Sequence, residues 1–189
     1  NGGDNLRESI FKRIGAGYMD IAFRTAREID PAAKLIYNDY GAEVVNATSD
    51  AIYALARDML ARQVPIDGVG FQMHIDHNGI DCDSFRQNLQ RFADLGLDVY
   101  ITEMDVRLPV NPDGSLLKRQ AEIYRDIMQV CVDQPACAAV QIWGIADRYS
   151  WIPAFFKGTD AGLPFDRQYR PKPAADAIAE VLSGGRKTP

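Results

Sequence analysis

Four short runs rich in β-branched and aromatic residues, Lys34-Leu35-Ile36-Tyr37, Gly68-Val69-Gly70-Phe71, Asp98-Val99-Tyr100-Ile101 and Ala139-Val140-Gln141-Ile142, recur at intervals of roughly 30 to 40 residues. Runs this short and this apolar read as buried strands. The segments between them place apolar residues three or four apart, the spacing that gives a helix one buried stripe. Ile10, Ile14, Tyr18 and Ile21 mark the first stripe, and Ile52, Leu55, Met59 and Leu60 the second. Phe85, Leu89 and Phe92 mark the third, which Asp83 or Ser84 can cap and Gly96 can end. Leu117, Tyr124, Ile127, Met128 and Cys131 mark the fourth, and a last helix, roughly Ala174 to Leu182, follows Pro171 and Pro173. A helix and then four strand-helix units is the rhythm of a parallel sheet covered by helices.

Two architectures share that rhythm. A doubly wound sheet normally carries a glycine-rich phosphate loop after a strand, and nothing here resembles G-x-G-x-x-G or a P-loop. A (β/α)8 TIM barrel carries its chemistry at the C-terminal ends of several strands. Here the runs lead into Asn38-Asp39-Tyr40, Gln72-Met73-His74, Glu103-Met104-Asp105, and Trp143 followed by Asp147. The barrel pattern is the one the sequence shows.

Side chains two apart on a strand share a face. Gln72 and His74 are thus expected on one side, as are Glu103 and Asp105, which brings an imidazole and two carboxylates to one barrel mouth. Trp143 and Trp151 offer flat apolar platforms suited to stacking on sugar rings. Such a set points to glycoside hydrolysis, in which a carboxylate attacks or stabilises an oxocarbenium-like centre. Asp39, Glu43 and Asp147 read as structural acids. His74 and His77 do not make a convincing metal pair, because a spacing of three at a strand end splays the rings and no third ligand motif follows. No metal and no cofactor are expected.

Charge and cysteine content narrow the partners. With 26 acidic and 21 basic residues the net charge is -5, which offers no footprint for nucleic acid or an anionic membrane, and a neutral substrate fits better. No apolar run is long enough to span a bilayer, and no signal segment opens the sequence. Cys131 and Cys137 bracket a short turn and can close a small disulfide, with Cys82 free or paired outside the chain; three reduced thiols fit the composition equally well. Asn46-Ala47-Thr48 has the form of a glycosylation acceptor.

Four longer motifs carry a resemblance: Asn38-Asp39-Tyr40-Gly41-Ala42-Glu43, Gly68 to His74 (GVGFQMH), Ile101-Thr102-Glu103-Met104-Asp105-Val106, and Trp143 to Trp151 (WGIADRYSW). In order and spacing they resemble the signatures of glycoside hydrolase family 10 endo-β-1,4-xylanases. The opening Leu6-Arg7-Glu8-Ser9 and the closing Tyr169-Arg170-Pro171-Lys172-Pro173-Ala174 match too, so the resemblance spans the chain, residues 1–189. It implies an α/β fold, a (β/α)8 barrel of which this chain supplies about the last four βα units. It implies Glu103 as the nucleophile of a retaining hydrolysis of xylan, His74 as the imidazole touching it, and Asp105 as the carboxylate orienting that imidazole. It places Asn38, Tyr40 and Gln72 along the cleft, and Trp143 and Trp151 around the sugar whose bond is cut. It implies a Cys131–Cys137 disulfide of the kind found in secreted members, hence an extracellular setting.

In one respect the sequence departs from that family. Retention needs two carboxyl groups about 5 Å apart, and the family's acid/base lies in a Trp-Asp-x-Val-Asn-Glu segment that this sequence lacks. Asn1-Gly2-Gly3-Asp4-Asn5 reads as a loop just beyond it. A complete barrel takes about 250 residues, and four parallel strands alone would leave two unpaired edges and an open apolar interior. The expectation is a piece of a longer polypeptide, partnered by the N-terminal half of the barrel or by a second copy, and acting on xylan and xylo-oligosaccharides. Two other activities fit the same residues: a non-catalytic sugar-binding half-barrel, and a β-glucan-active relative.

Overall fold

A computed structural model describes residues 9–15 and 17–184, so the opening Asn1-Gly2-Gly3-Asp4-Asn5 loop and the Leu6-Arg7-Glu8 match lie outside the described residues. The elements are α1 (Ile10–Ile14), α2 (Tyr18–Ile29), β1 (Ile36–Asp39), α3 (Ala47–Ala61), β2 (Gly68–Phe71), β3 (His74–Asp76), α4 (Cys82–Ala93), β4 (Asp98–Pro109), α5 (Gly114–Asp133), β5 (Cys137–Ile142), α6 (Ile152–Phe155), β6 (Thr159–Asp160) and α7 (Pro173–Gly184). β1, β2, the first part of β4, and β5 pair side by side, all parallel and in chain order. A doubly wound sheet reverses its strand order partway, whereas a barrel adds each strand on the same side, as here. Among the described residues β1 and β5 each have one strand neighbour, which leaves the two expected edges.

The apolar sequence run of β4 is only its beginning. Beyond Ile101 the strand continues to Pro109, pairing with β3 in parallel and with β6 antiparallel. Polar residues at 102, 103 and 105 hide this extension from an apolar pattern, and partners at the strand ends make it tolerable.

Val69, Phe71, Val99 and Ile101 face the helices and are fully buried against Met59 of α3, Phe85, Leu89 and Phe92 of α4, and Tyr124 and Ile127 of α5. Phe71 meets Phe85 and Phe92 edge-on, with ring centres 6.4 and 5.6 Å apart, and each such ring contributes about 1.5–3 kcal/mol by leaving water. The opposite, concave face departs from expectation. It carries Asn38, Tyr100, Thr102 and Gln141 between glycines and is open but largely polar. The glycines make room: a β-carbon on Gly68 would stand 2.9 Å from the Tyr100 ring, and one on Gly70 would stand 2.7 Å from Asn38 Oδ1.

The helix stripes fare unequally. Those of α3, α4 and α5 are buried as expected, although α4 is capped by Asp81, whose Oδ1 accepts from the amides of Asp83 and Ser84, and not by those two residues themselves. The first stripe is corrected. Gly15, at φ 103°, ends α1, and Ile10, Ile14 and Ile21 stand 70%, 66% and 64% exposed because no described element covers that side. The buried side of α2 runs instead through Met19 and Phe23. Asn46 of the acceptor triplet caps α3, its Oδ1 accepting from the Ser49 amide and its Nδ2 donating to the Gly41 carbonyl. Cys131 and Cys137 are joined, Cα to Cα 5.3 Å, tying the end of α5 to the start of β5, and Cys82 is free and half-buried.

Candidate active site

The site stands where β1 and β2 end, midway along β4. An irregularity in β4 between Ile101 and Met104 interrupts the alternation that turns Ile101 to the helices; beyond it Glu103 and Asp105 share a face, and the parallel register sets His74 of β3 opposite Asp105. The imidazole lies between the two acids: its Nε2 is 3.2 Å from Glu103 Oε2 and its Nδ1 is 3.1 Å from Asp105 Oδ2. Both facing atoms are carboxylate oxygens, which only accept, so only the doubly protonated ring donates to both. Burial works against that charge, but the hydrogen bonds and charges of Asp105 and then Glu103 outweigh it and raise the His74 pKa above its ordinary 6.5.

Glu103 is held at its other oxygen as well. Asn38 Nδ2 donates to Oε1 at 2.8 Å, and the Asn38 amide is oriented in turn by Thr102 Oγ1, which donates to Asn38 Oδ1 at 2.7 Å. The sequence placed Asn38 only along the cleft; the structure puts it in contact with the central carboxylate. Thr102 was passed over, although its position two residues beyond Tyr100 on the concave face was a usable signal.

Asp105 is nearly inaccessible and takes a second donor, Trp151 Nε1, at 2.7 Å. Trp151, expected as a sugar platform, is thus half-buried, its ring 4.7 Å from the His74 ring and 4.9 and 5.5 Å from Phe155 and Phe156. Trp143 keeps a platform-like setting, 49% exposed and edge-on to His74 at 6.2 Å. Gln72 joins through its backbone, accepting from the Glu103 amide at 3.1 Å and donating to the Asp39 carbonyl at 3.0 Å. Tyr40, one residue past β1, is 58% exposed, and its amide donates to Asp39 Oδ1.

A left-handed residue, Met73 at φ 65°, separates β2 from β3, so Gln72 and His74 are not on one unbroken strand as the alternation implied. Without glycine this conformation costs about 1–2 kcal/mol. Among the described residues the other acids near the mouth are engaged elsewhere. Asp39 accepts from Tyr37 Oη and its neighbouring amide, Glu43 is buried beneath Met73, and Asp147 is locked to Lys172 at 3.0 Å. Among the described residues no group of His, Cys, Asp and Glu is placed to hold a metal ion. Glu103 is a partly accessible carboxylate, anchored at both oxygens beside an exposed indole. That arrangement suits attack on, or charge stabilisation of, an anomeric centre.

Known proteins resemble this chain over most of its length. The family model described as Glycosyl hydrolase family 10 matches residues 1–181. Endo-1,4-beta-xylanase B of Thermotoga neapolitana is 52% identical over 93% of this chain and 51% of its own length, and an endo-1,4-beta-xylanase of Agaricus bisporus is 38% identical over 95% and 54%. The crystal structure of xylanase 10B from Thermotoga petrophila in complex with xylobiose superposes with a TM-score of 0.94 at 50% identity, over 97% of this chain and 57% of that one. The chain thus spans about half the length of the relatives it matches, and its strip of parallel sheet is part of a (β/α)8 barrel. With the family model covering nearly every residue and the strand-end carboxylate site lying on a barrel shared with solved relatives, the chain belongs to glycosyl hydrolase family 10.

Proposed function

We propose that this chain is the C-terminal half of a family 10 catalytic domain and that Glu103 is the nucleophile of a retaining endo-1,4-β-xylanase. The observation that carries the reading is the grip on Glu103: Asn38 on one oxygen, His74 on the other, and Asp105 with Trp151 steadying His74 from behind. A carboxylate so fixed keeps its aim while the glycosidic bond breaks, which is where most of the benefit of preorganisation lies. Glu103 attacks the anomeric carbon and forms a glycosyl ester, while a glutamic acid contributed by the N-terminal half protonates the departing oxygen; water then releases the sugar with a second inversion. Trp143 supplies the exposed apolar face for stacking, and Asn38, Tyr40, Gln72 and Trp151 complete the wall of the cleft. The partners are xylan, xylo-oligosaccharides and the other half of the barrel, or a second copy covering the open strand edges. The Cys131–Cys137 bridge supports an oxidising, extracellular setting.

The test is proton NMR of xylo-oligosaccharide cleavage by the chain joined to an N-terminal half. The β-anomer should appear first, and the chain alone should show no turnover. Initial release of the α-anomer, or full turnover by the isolated chain, would overturn the reading.

A further inference from the structure

We infer that Glu43 is a positioning residue for this site: its carboxylate holds the Met73 amide in the left-handed turn that aims His74 between Glu103 and Asp105. The turn stands where the strand registers shift. Phe71 of β2 pairs with Ile101, whereas His74 of β3 pairs with Asp105, and β4 carries the same extra residue against β5 between Ile101 and Met104. Met73 lies opposite that irregularity at φ 65°, fully buried. Its carbonyl is taken by the Asp105 amide and that of Gln72 by the Glu103 amide, which fixes the oxygens along β4. The Met73 N–H is turned off that ladder, and a buried amide left alone is costly.

Glu43 meets it. The residue is itself buried, and its Oε1 accepts from the Met73 amide at 3.1 Å and from the Gly41 amide at 3.3 Å. The loop carrying it is pinned from α4: Asn88 Nδ2 donates to the carbonyls of Ala42 and Glu43 at 2.7 and 2.9 Å, and Arg91 Nε donates to Asn88 Oδ1 at 2.9 Å. A chain of contacts thus runs from a core helix through Glu43 and Met73 to the imidazole. Its consequence for turnover rests on the reading of Glu103 as nucleophile, but the geometry does not, so the test reads the imidazole directly.

Histidine-labelled chain is titrated by NMR as wild type, Glu43→Ala and Glu43→Gln, with the His77 resonances and the unfolding midpoint reporting an intact fold. Glu43→Ala should lose most of the upward displacement of the His74 titration, and Glu43→Gln, whose amide oxygen still accepts, should keep most of it. If Glu43→Ala does not fold, Glu43→Gln decides the matter: the Met73 and Gly41 amide protons should both shift on that substitution, because both donate to the exchanged group. A folded Glu43→Ala chain with His74 titrating as before, or Met73 and Gly41 amides unmoved by Glu43→Gln, overturns the proposal. Should Glu103 prove not to be the nucleophile, these outcomes would stand unchanged.

Discussion

Two acid-base partnerships sit at neighbouring strand ends, and they behave in opposite ways. Where β3 pairs with β4, His74 has a carboxylate at each ring nitrogen, and its charged form wins against burial. Beyond β5, Lys172 lies against Asp147 with a carbonyl, that of Ala161, as its second acceptor, and Asp147 takes the Leu163 amide. There burial wins: it raises the Asp147 pKa and lowers that of Lys172 in spite of their mutual attraction. The first group keeps Glu103 within reach of solvent, with 14% of its side chain accessible, whereas Asp147 has 5%. Similar ingredients therefore leave a carboxylate within reach of solvent in one place and make a lock in the other. The lock ties the turn leading to Trp151 to the segment around Ala161, which Gln120 Nε2 and Tyr124 Oη also grip at the carbonyls of Ala161 and Gly162.

If that division is right, activity and stability should separate by residue. The largest effect should come from Glu103→Gln in the completed barrel, with xylan turnover falling about 10^4-fold. The glutamine oxygen still accepts from Asn38, so the unfolding midpoint of the chain should barely move. A collapse of stability instead would make Glu103 part of the lock. Lys172→Met should do the reverse, leaving the Asp147 charge buried without a partner and costing about 3–5 kcal/mol in denaturant unfolding. Adding Asp147→Leu should recover part of that loss, since the buried charge goes but the Leu163 amide loses its partner. No recovery would mean that the hydrogen bonds, and not the charges, make the lock. Trp151→Phe should have a smaller effect, about 1–2 kcal/mol, because it removes the indole donor to Asp105 and keeps most of the ring.

The two partnerships were not equally legible. Glu103, His74, Asp105 and Asn38 stand directly after apolar runs, so that position was enough to gather them, although the strand period breaks at Met73 and between Ile101 and Met104. The strand-helix rhythm was readable for the same reason. Asp147 and Lys172 lie 25 residues apart in irregular segments, where no period links them. Ile14 and Ile21 show the complementary failure: spacing identifies an apolar face but says nothing of what covers it, and here both remain exposed. Glu43 was readable as a structural acid, but its contact with Met73 was not, because a left-handed methionine exists only once the strands are assembled. Trp151 was recognised as aromatic, yet its donation to Asp105 depends on a loop path that composition does not encode.

The smallest and most discriminating effect concerns pH. The folded pKa of His74 is raised, so its contribution to stability is fully present below the unfolded value of 6.5 and is lost as pH rises through the folded value. Comparing the unfolding free energy of the wild type with that of His74→Asn should therefore show a gap that is widest below pH 6.5 and narrows above it. Lys172→Met, measured the same way, should give a gap of the opposite slope, widening as pH rises, because an Asp147 left without its cation is raised further by burial and has to ionise against it. A His74 gap that widens toward alkaline pH would mean that burial governs the imidazole as it governs Lys172. The two strand ends would then follow one rule, and the site would have to draw its grip on Glu103 from Asn38 alone.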